Sequence, residues 1–173
     1  MCVDSRANEG EPFFFFYQTV FKRIGQRLPF NSFERELLTK INVTPAQLYP
    51  KNWAFIRAFT ILCNHFGHTS SVDVFLHFFE AKKPRKNLRI SFSNVVGKLF
   101  LTLFQSSYKG LKGKFFRVCS SEHDHTSLDG FPLYWVGELK LKKAKTLDEL
   151  SSADRGVCQV LAILGWFSTP LSL

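Results

Sequence analysis

From residue 81 to residue 121 the chain has no Asp and no Glu, while it carries ten bases there: Lys82, Lys83, Arg85, Lys86, Arg89, Lys98, Lys109, Lys112, Lys114 and Arg117. The formal net charge is +9, and outside this stretch 13 bases face 14 acids. The positive field is therefore regional, and such a field favours polyanions such as nucleic acid or an acidic membrane surface without naming a reaction. Cysteine is sparse as well. Cys2, Cys63, Cys119 and Cys158 lie far apart with no Cys-x-x-Cys pair, which disfavours a zinc ribbon and a compact disulfide scaffold and fits an intracellular, reducing compartment, nucleus and cytoplasm not being distinguished. Long apolar runs are missing too. Every hydrophobic segment meets a charge well before the roughly 20 residues that span a bilayer. The run Phe13 to Tyr17 is shorter than a signal-peptide core, so neither a membrane span nor a secretory signal is expected.

What the chain does have is phenylalanine, 20 in 173 residues, within an apolar fraction of 45%. That is enough apolar surface to offset ordering entropy, and the length suits one domain. The expected layout is a flexible tail at 1–12, a single domain at 13–167 and a second tail at 168–173. Phe13, Phe16, Tyr17, Val20, Ile24 and Leu28 recur at helical steps and predict an amphipathic helix ended by Pro29. Asn31 and Glu34 form a capping box for a second helix through Phe33, Leu37, Leu38 and Ile41. Thr44 and Pro45 open one further turn, and Tyr49-Pro50 is expected to extend the chain before Trp53. Phe55, Phe59, Leu62 and Phe66 predict a strong helix capped by Gly67. Ser71 is expected to cap another, with Val72, Phe75, Leu76 and Phe79 inside, Lys82 and Lys83 in its last turn and Pro84 as its stop.

Beyond Pro84 the period changes from helical to two. Leu88, Ile90 and Phe92 alternate with polar residues, and 114–119 and 131–136 are candidate partner strands, with Phe131, Leu133 and Trp135 on one face. Leu99 to Phe104 favours a short helix, and Thr146 with Glu149 predicts a capping box for a closing helix through Val157, Val160, Leu161 and Leu164, with Gly165 behind it. The fold class is α+β: N-terminal helices packed on a small antiparallel sheet, with a closing C-terminal helix.

Within the basic stretch Tyr108, Phe115 and Phe116 interleave with Lys109, Lys112, Lys114 and Arg117. Cations for phosphates and ring faces for bases are what single-stranded nucleic acid requires. Lys109, Lys112, Lys114 and Arg117 are the candidate nucleic-acid-binding residues, with Tyr108 as a stacking platform; the alternative is a merely solvated basic face. Gly110-Leu111-Lys112-Gly113 matches the backbone-clamping loop of KH domains, although a plain turn before a strand accounts for it better. A P-loop is excluded, because Phe115 stands where Ser or Thr is needed. Lys82, Lys83, Arg85 and Lys86 have the density of a nuclear-import segment and equally suit a helix C-terminus. Cys63, His65 and His68, and Glu122, His123, Asp124 and His125, are the places to look for metal, but neither group supplies a converging set, and no metal or cofactor is indicated. His77 is placed on a helix flank. A metal-dependent nuclease would need three converging carboxylates. Asp73, Glu80, Asp124, Asp129 and Glu138 show no such spacing, so no catalytic residue is assigned.

Asn52-Trp53-Ala54-Phe55-Ile56-Arg57-Ala58-Phe59, running through Leu62-Cys63 to Val74-Phe75-Leu76-His77-Phe78-Phe79, resembles the plant "putative gypsy-type transposon" domain. The likeness continues in order through Ser91-Phe92-Ser93, the segment from Tyr108-Lys109 to Phe115-Phe116-Arg117-Val118, Pro132-Leu133-Tyr134-Trp135, and Leu147-Asp148-Glu149-Leu150 with Asp154-Arg155. It spans roughly Phe16 to Gly165. It implies retroelement ancestry, a Gag-like or accessory region, and no catalytic residue to carry over. Two departures stand out. Arg89 occupies a place where relatives often have Trp, and the long charged helical C-terminal region of relatives is missing, which suggests a truncated or decayed copy. The expectation is a non-enzymatic retroelement domain with DNA or RNA as partner, or self-association. A protein-interaction module is the alternative, and no membrane or small-molecule partner is indicated.

Overall fold

The computed structural model describes residues 12–82, 88–98, 100–101, 114–119, 128–137, 139–140 and 143–167, with side chains as far as residue 163. Its elements are β1 (Phe13–Tyr17), a π-helical turn (Val20–Ile24), α1 (Ser32–Ile41), a 3-10 turn (Pro45–Gln47), α2 (Pro50–His65), α3 (Val72–Phe78), β2 (Phe79–Lys82), β3 (Ser91–Asn94), β4 (Phe115–Cys119) and α4 (Ser152–Phe167). The class is α+β, as expected.

The first expected helix is instead a strand followed by a tight turn. Four consecutive Phe residues cannot share one stripe of a 3.6-residue helix, but a strand sends them alternately to two faces. Phe14 and Phe16 are buried while Phe15 is exposed. β1 pairs antiparallel with β4, a partner about a hundred residues away and invisible to local periodicity. The π-helical turn stops at Gly25, not at Pro29. Gly25 adopts φ +69°, and its N–H bonds the Val20 carbonyl.

The capping box of α1 forms as expected: the Asn31 side chain accepts from the Glu34 N–H at 2.9 Å, and the Glu34 carboxylate accepts from the Asn31 N–H at 3.0 Å. Thr44 and Gln47 repeat the device around the 3-10 turn. Tyr49 is extended, with φ −62° and ψ 149°, as its place before a proline requires, but the extension ends there and does not reach Trp53. Pro50 sits at the first position of α2, where its missing N–H costs nothing. Gly67, just past α2, takes φ +70°. Ser71 precedes α3 without a side-chain cap bond, and α3 ends at Phe78 because Phe79–Lys82 pairs with β3. Lys82 is therefore a strand residue, and Lys83 and Pro84 lie outside the described residues.

Two separate two-stranded ribbons, β1–β4 and β2–β3, replace the single sheet that the sequence suggested. Residues 131–136 form no strand, since their backbone is held by side chains instead. Leu101 has a left-handed backbone, φ +55°, which does not fit a helix there; Leu99 and residues 102–104 lie outside the described residues. Thr146 and Glu149 do bond each other, but as an isolated turn. α4 starts at Ser152 behind a Ser151–Asp154 cap, and it runs through Gly165 rather than stopping before it.

The core is aromatic. Trp53 stacks on Phe30 at 5.0 Å and meets the edge of Phe16 at 5.0 Å. Phe33, Phe59, Phe75, Phe79 and Phe92 continue the chain of rings across α1, α2, α3, β2 and β3. Burying each such ring contributes about 1.5–3 kcal/mol. Asn52 ties β3 to α2, its amide donating to the Ile90 carbonyl at 2.7 Å and its oxygen accepting from the Phe92 N–H at 3.0 Å.

Candidate functional site

The register of β1–β4 pairs Phe15 with Arg117 and Tyr17 with Phe115 on one face, and Phe14 with Val118 and Phe16 with Phe116 on the other. The second face packs into the core. On the first, Phe15 is 50% and Phe115 is 40% exposed. The Arg117 guanidinium lies 3.8 Å from the centroid of Phe13, a diagonal cross-strand contact, and Phe13 meets the edge of Tyr134 at 6.0 Å. Tyr17 packs against Phe115 at 4.6 Å and donates its hydroxyl to the Ala46 carbonyl; burial is the main cause that pushes its pKa up to about 12.

Arg89 continues this face. Its guanidinium lies 6.0 Å from the rings of Tyr17 and Tyr49 and 5.8 Å from that of Trp135. Tyr134 and Trp135 remain 62% and 47% exposed. Their position is set by Gln47, which is fully buried and uses its whole amide. Its oxygen accepts from the N–H groups of Thr44 and Val136, and its NH2 donates to the carbonyls of Leu88 and Val136, all at 2.9–3.1 Å. Thr44 adds a bond from its hydroxyl to the Leu133 carbonyl at 3.0 Å. One buried side chain thus holds the residue before Arg89 and the residue after Trp135. Among the described residues, no carboxylate lies within ion-pair distance of Arg89 or Arg117.

Of the candidate binding residues, Lys114 is exposed at the start of β4 and Arg117 is half-buried against Phe13. Tyr108, Lys109 and Lys112 lie outside the described residues, as does the glycine pair at 110 and 113. Lys82 pairs with Glu80 at 3.1 Å, while Lys83, Arg85 and Lys86 are again outside them. Trp135, expected on one strand face with Phe131 and Leu133, is exposed while Phe131 is buried, because the segment is not a strand with alternating faces. Phe13, Phe15, Arg89, Tyr134 and Gln47 are not among the candidate binding residues read from the sequence. The available signal was the adjacency of Tyr134 and Trp135: two large rings in succession seldom both fit a core.

Elsewhere the titratable groups are absorbed in packing. Asp73 receives Lys40 and Lys145, joining α1 and α3 to the segment before α4. Burial would raise its pKa, but the two lysines outweigh that and hold it low. His77 is buried rather than on a flank: its Nδ1 lies 2.9 Å from the Lys145 carbonyl, and the Lys98 ammonium donates to the His77 carbonyl at 3.1 Å. Burial and the Lys98 charge lower its pKa. Glu34 is buried against Gln26 at 2.8 Å, and burial raises its pKa. Among the described residues no group of three His, Cys, Asp or Glu side chains could hold a metal ion. Cys63 is buried in α2 and His65 is exposed, while residues 122–125 lie outside the described set. An open cleft of about 540 Å³ before α1, lined by Asn31, Thr60, Asn64, His68 and Ser70 among others, offers one histidine and no carboxylate. No helix among the described residues is long and apolar enough to cross a membrane.

Residues 15–83 match a family model described as "Putative gypsy type transposon". This part of the chain is similar to a gypsy-type transposon domain. The match runs from within β1 through α1, α2, α3 and β2 and takes in Phe16, Phe30, Phe33, Trp53, Phe59, Phe75 and Phe79 of the core. β3, β4 and α4 lie beyond it. Searches of curated proteins and of solved structures gave no match.

Proposed function

We propose that this transposon-derived protein is a non-catalytic, Gag-like or accessory nucleic-acid-binding domain, and that the outward face of β1–β4 is its binding surface. One observation carries this: exposed rings at Phe15, Phe115, Tyr134 and Trp135 are interleaved with Arg89, Arg117 and Lys114, cations that no described carboxylate neutralises. The cations supply attraction to phosphate and the rings supply sequence-tolerant contact with bases. The acid-free stretch that includes Lys109 and Lys112 adds to the same field.

The test is fluorescence-anisotropy binding to single-stranded and duplex DNA and RNA across a salt series. Lys109, Lys112, Lys114 and Arg117 changed together to Gln serve as the control. Binding that weakens steeply with salt and in the variant is expected. A folded protein with no affinity at low salt would overturn the proposal.

The exposed aromatic patch also suits a protein-interaction surface, since monomers seldom leave such rings contiguous and unpartnered. That second reading predicts self-association or partner binding that salt strengthens or leaves unchanged, in contrast to the loss expected for phosphate contacts.

A further inference from the structure

We infer that Arg89, Tyr134 and Trp135 form a base-stacking half of this face, so that its ligand is single-stranded rather than duplex nucleic acid. The inference rests on the nucleic-acid reading above and adds a substrate class and residues to it.

The face is tied together by a path of contacts between rings and guanidinium groups, with Tyr17 as its buried link. Tyr134 touches Phe13, Arg117 covers Phe13, Phe115 packs on Tyr17, Arg89 lies over Tyr17 and Trp135, and Trp135 follows Tyr134 in the chain. Arg89 lies over the Trp135 ring, and the indole is still 47% exposed. A base placed on the remaining indole surface would stack on Trp135 with the Arg89 guanidinium within cation–π reach of the same ring. Duplex nucleic acid keeps its base faces stacked on one another, so only unpaired bases can use these rings. The phosphates then meet Arg117 and Lys114, and charge complementarity selects nucleic acid over an apolar partner.

Arg89 and Trp135 come from segments with no mutual sequence signal, and Gln47 brings them together through the Leu88 carbonyl and the Val136 backbone. Gln47 is therefore a positioning residue. It touches no ligand, yet it is the side chain that bonds both the residue before Arg89 and the residue after Trp135.

The experiment measures anisotropy of fluorescein-labelled oligo(U) and oligo(dT) 12-mers and of a 12-base-pair duplex with the full chain, together with quenching of tryptophan emission. The variants are the Tyr134→Ala, Trp135→Ala double change, Trp135→Phe, and Trp135→Leu, each first shown to unfold at the wild-type urea midpoint. The double variant is expected to lose roughly 5- to 100-fold in single-strand affinity, with duplex affinity held within about twofold. Trp135→Phe should retain most of the single-strand binding. Oligo(U) should quench the wild-type emission, and Trp135→Leu should abolish most of that quenching. Single-strand affinity unchanged in the double variant, or equal losses for single strand and duplex, would overturn the stacking assignment while leaving salt-dependent binding to support the broader proposal. No binding of any oligonucleotide at low salt would overturn both.

Discussion

The two ribbons have the same size class and the same antiparallel pairing, but they treat their outward faces differently. In β2–β3 the inward positions are Phe79, Ala81 and Phe92, and the outward ones are Glu80, Lys82, Ser91 and Ser93, where Glu80 pairs with Lys82 and lies at hydrogen-bond distance from Ser93. That is an ordinary solvated face, with charges that satisfy one another. In β1–β4 the inward positions are Phe14, Phe16, Phe116 and Val118, and the outward ones include Phe13, Phe15, Phe115 and Arg117. On this face Tyr17 and Cys119 are buried, but Phe15 and Phe115 remain exposed, so part of it has the composition of a core without being covered like one. A basic stretch by itself does not separate a binding face from a soluble one. The neighbours of each cation do: Lys82 has a carboxylate, and Arg117 has a ring.

The largest effect should come from testing whether the two faces of β1 differ as their burial says. Phe16→Ala removes a fully buried ring that contacts Trp53, Phe30 and Phe116, and should cost about 3–5 kcal/mol in urea unfolding. Phe15→Ala, one residue away, should cost under about 1 kcal/mol. Equal losses would mean that the outward face is as much a part of the core as the inward one, and the comparison would fail. Next in size is Gln47→Ala. It leaves the Thr44 and Val136 N–H groups and the Leu88 and Val136 carbonyls without their partner, and should cost about 2–4 kcal/mol. A red shift of tryptophan emission in the folded variant would report the release of Trp135.

Features set by neighbours in the chain were legible in the sequence. The box of Asn31 and Glu34, the turn at Thr44-Pro45, the helix through Phe55 and Phe59 and the left-handed Gly67 each depend on residues within one or two turns. The failures that changed an element's type are decided at a distance. Phe13–Tyr17 has a helical stripe if one selects it, but β4 supplies a partner and the strand wins. Phe79–Lys82 leaves the helix because β3 offers backbone bonds. Residues 131–136 look like a strand, yet Thr44 and Gln47 satisfy their backbone from 89 residues away. The site was half visible for the same reason. The cations could be counted, but the rings that accompany them are brought together by tertiary contacts, and Gln47 anchors the segments that carry Arg89 and Trp135.

A smaller effect comes from titration, which acts on the packed part of the molecule and should leave the outward face untouched. Burial and the Lys98 charge keep the pKa of His77 below its ordinary 6.5. The folded state therefore binds fewer protons there than the unfolded state, so this contribution is fully present above pH 6.5 and is lost as pH falls through the lowered value. Glu34 works in the opposite direction. Its pKa is raised above 4.5 by burial, only partly offset by Gln26 and the Asn31 N–H, so its contribution grows as pH falls toward 4.5. Asp73, held below 3.8, adds a further loss only under stronger acid. Urea unfolding of wild type and His77→Gln between pH 7.5 and 4.5 isolates the first group. The difference between the two proteins should shrink as pH falls, and a difference independent of pH would remove His77 from this role.

The smallest stability change is expected where the two ribbons can be compared cation for cation. Lys82→Gln breaks an exposed pair with Glu80 and should alter stability by no more than about 0.5 kcal/mol. Glu80 already answers its charge, so removing it should also leave the salt dependence of oligo(U) binding unchanged. Arg117→Gln removes a guanidinium held over Phe13, and it should flatten the slope of log affinity against log salt by about 0.7, the contribution of one phosphate contact to a single strand. Both substitutions delete one positive charge from the same acid-free stretch, so net charge is matched and only the location differs. Equal flattening by both would mean that the protein attracts nucleic acid through its overall field, and the aromatic face of β1–β4 would lose its privileged place. Flattening by Arg117→Gln alone would tie the phosphate contact to the ribbon whose rings are exposed.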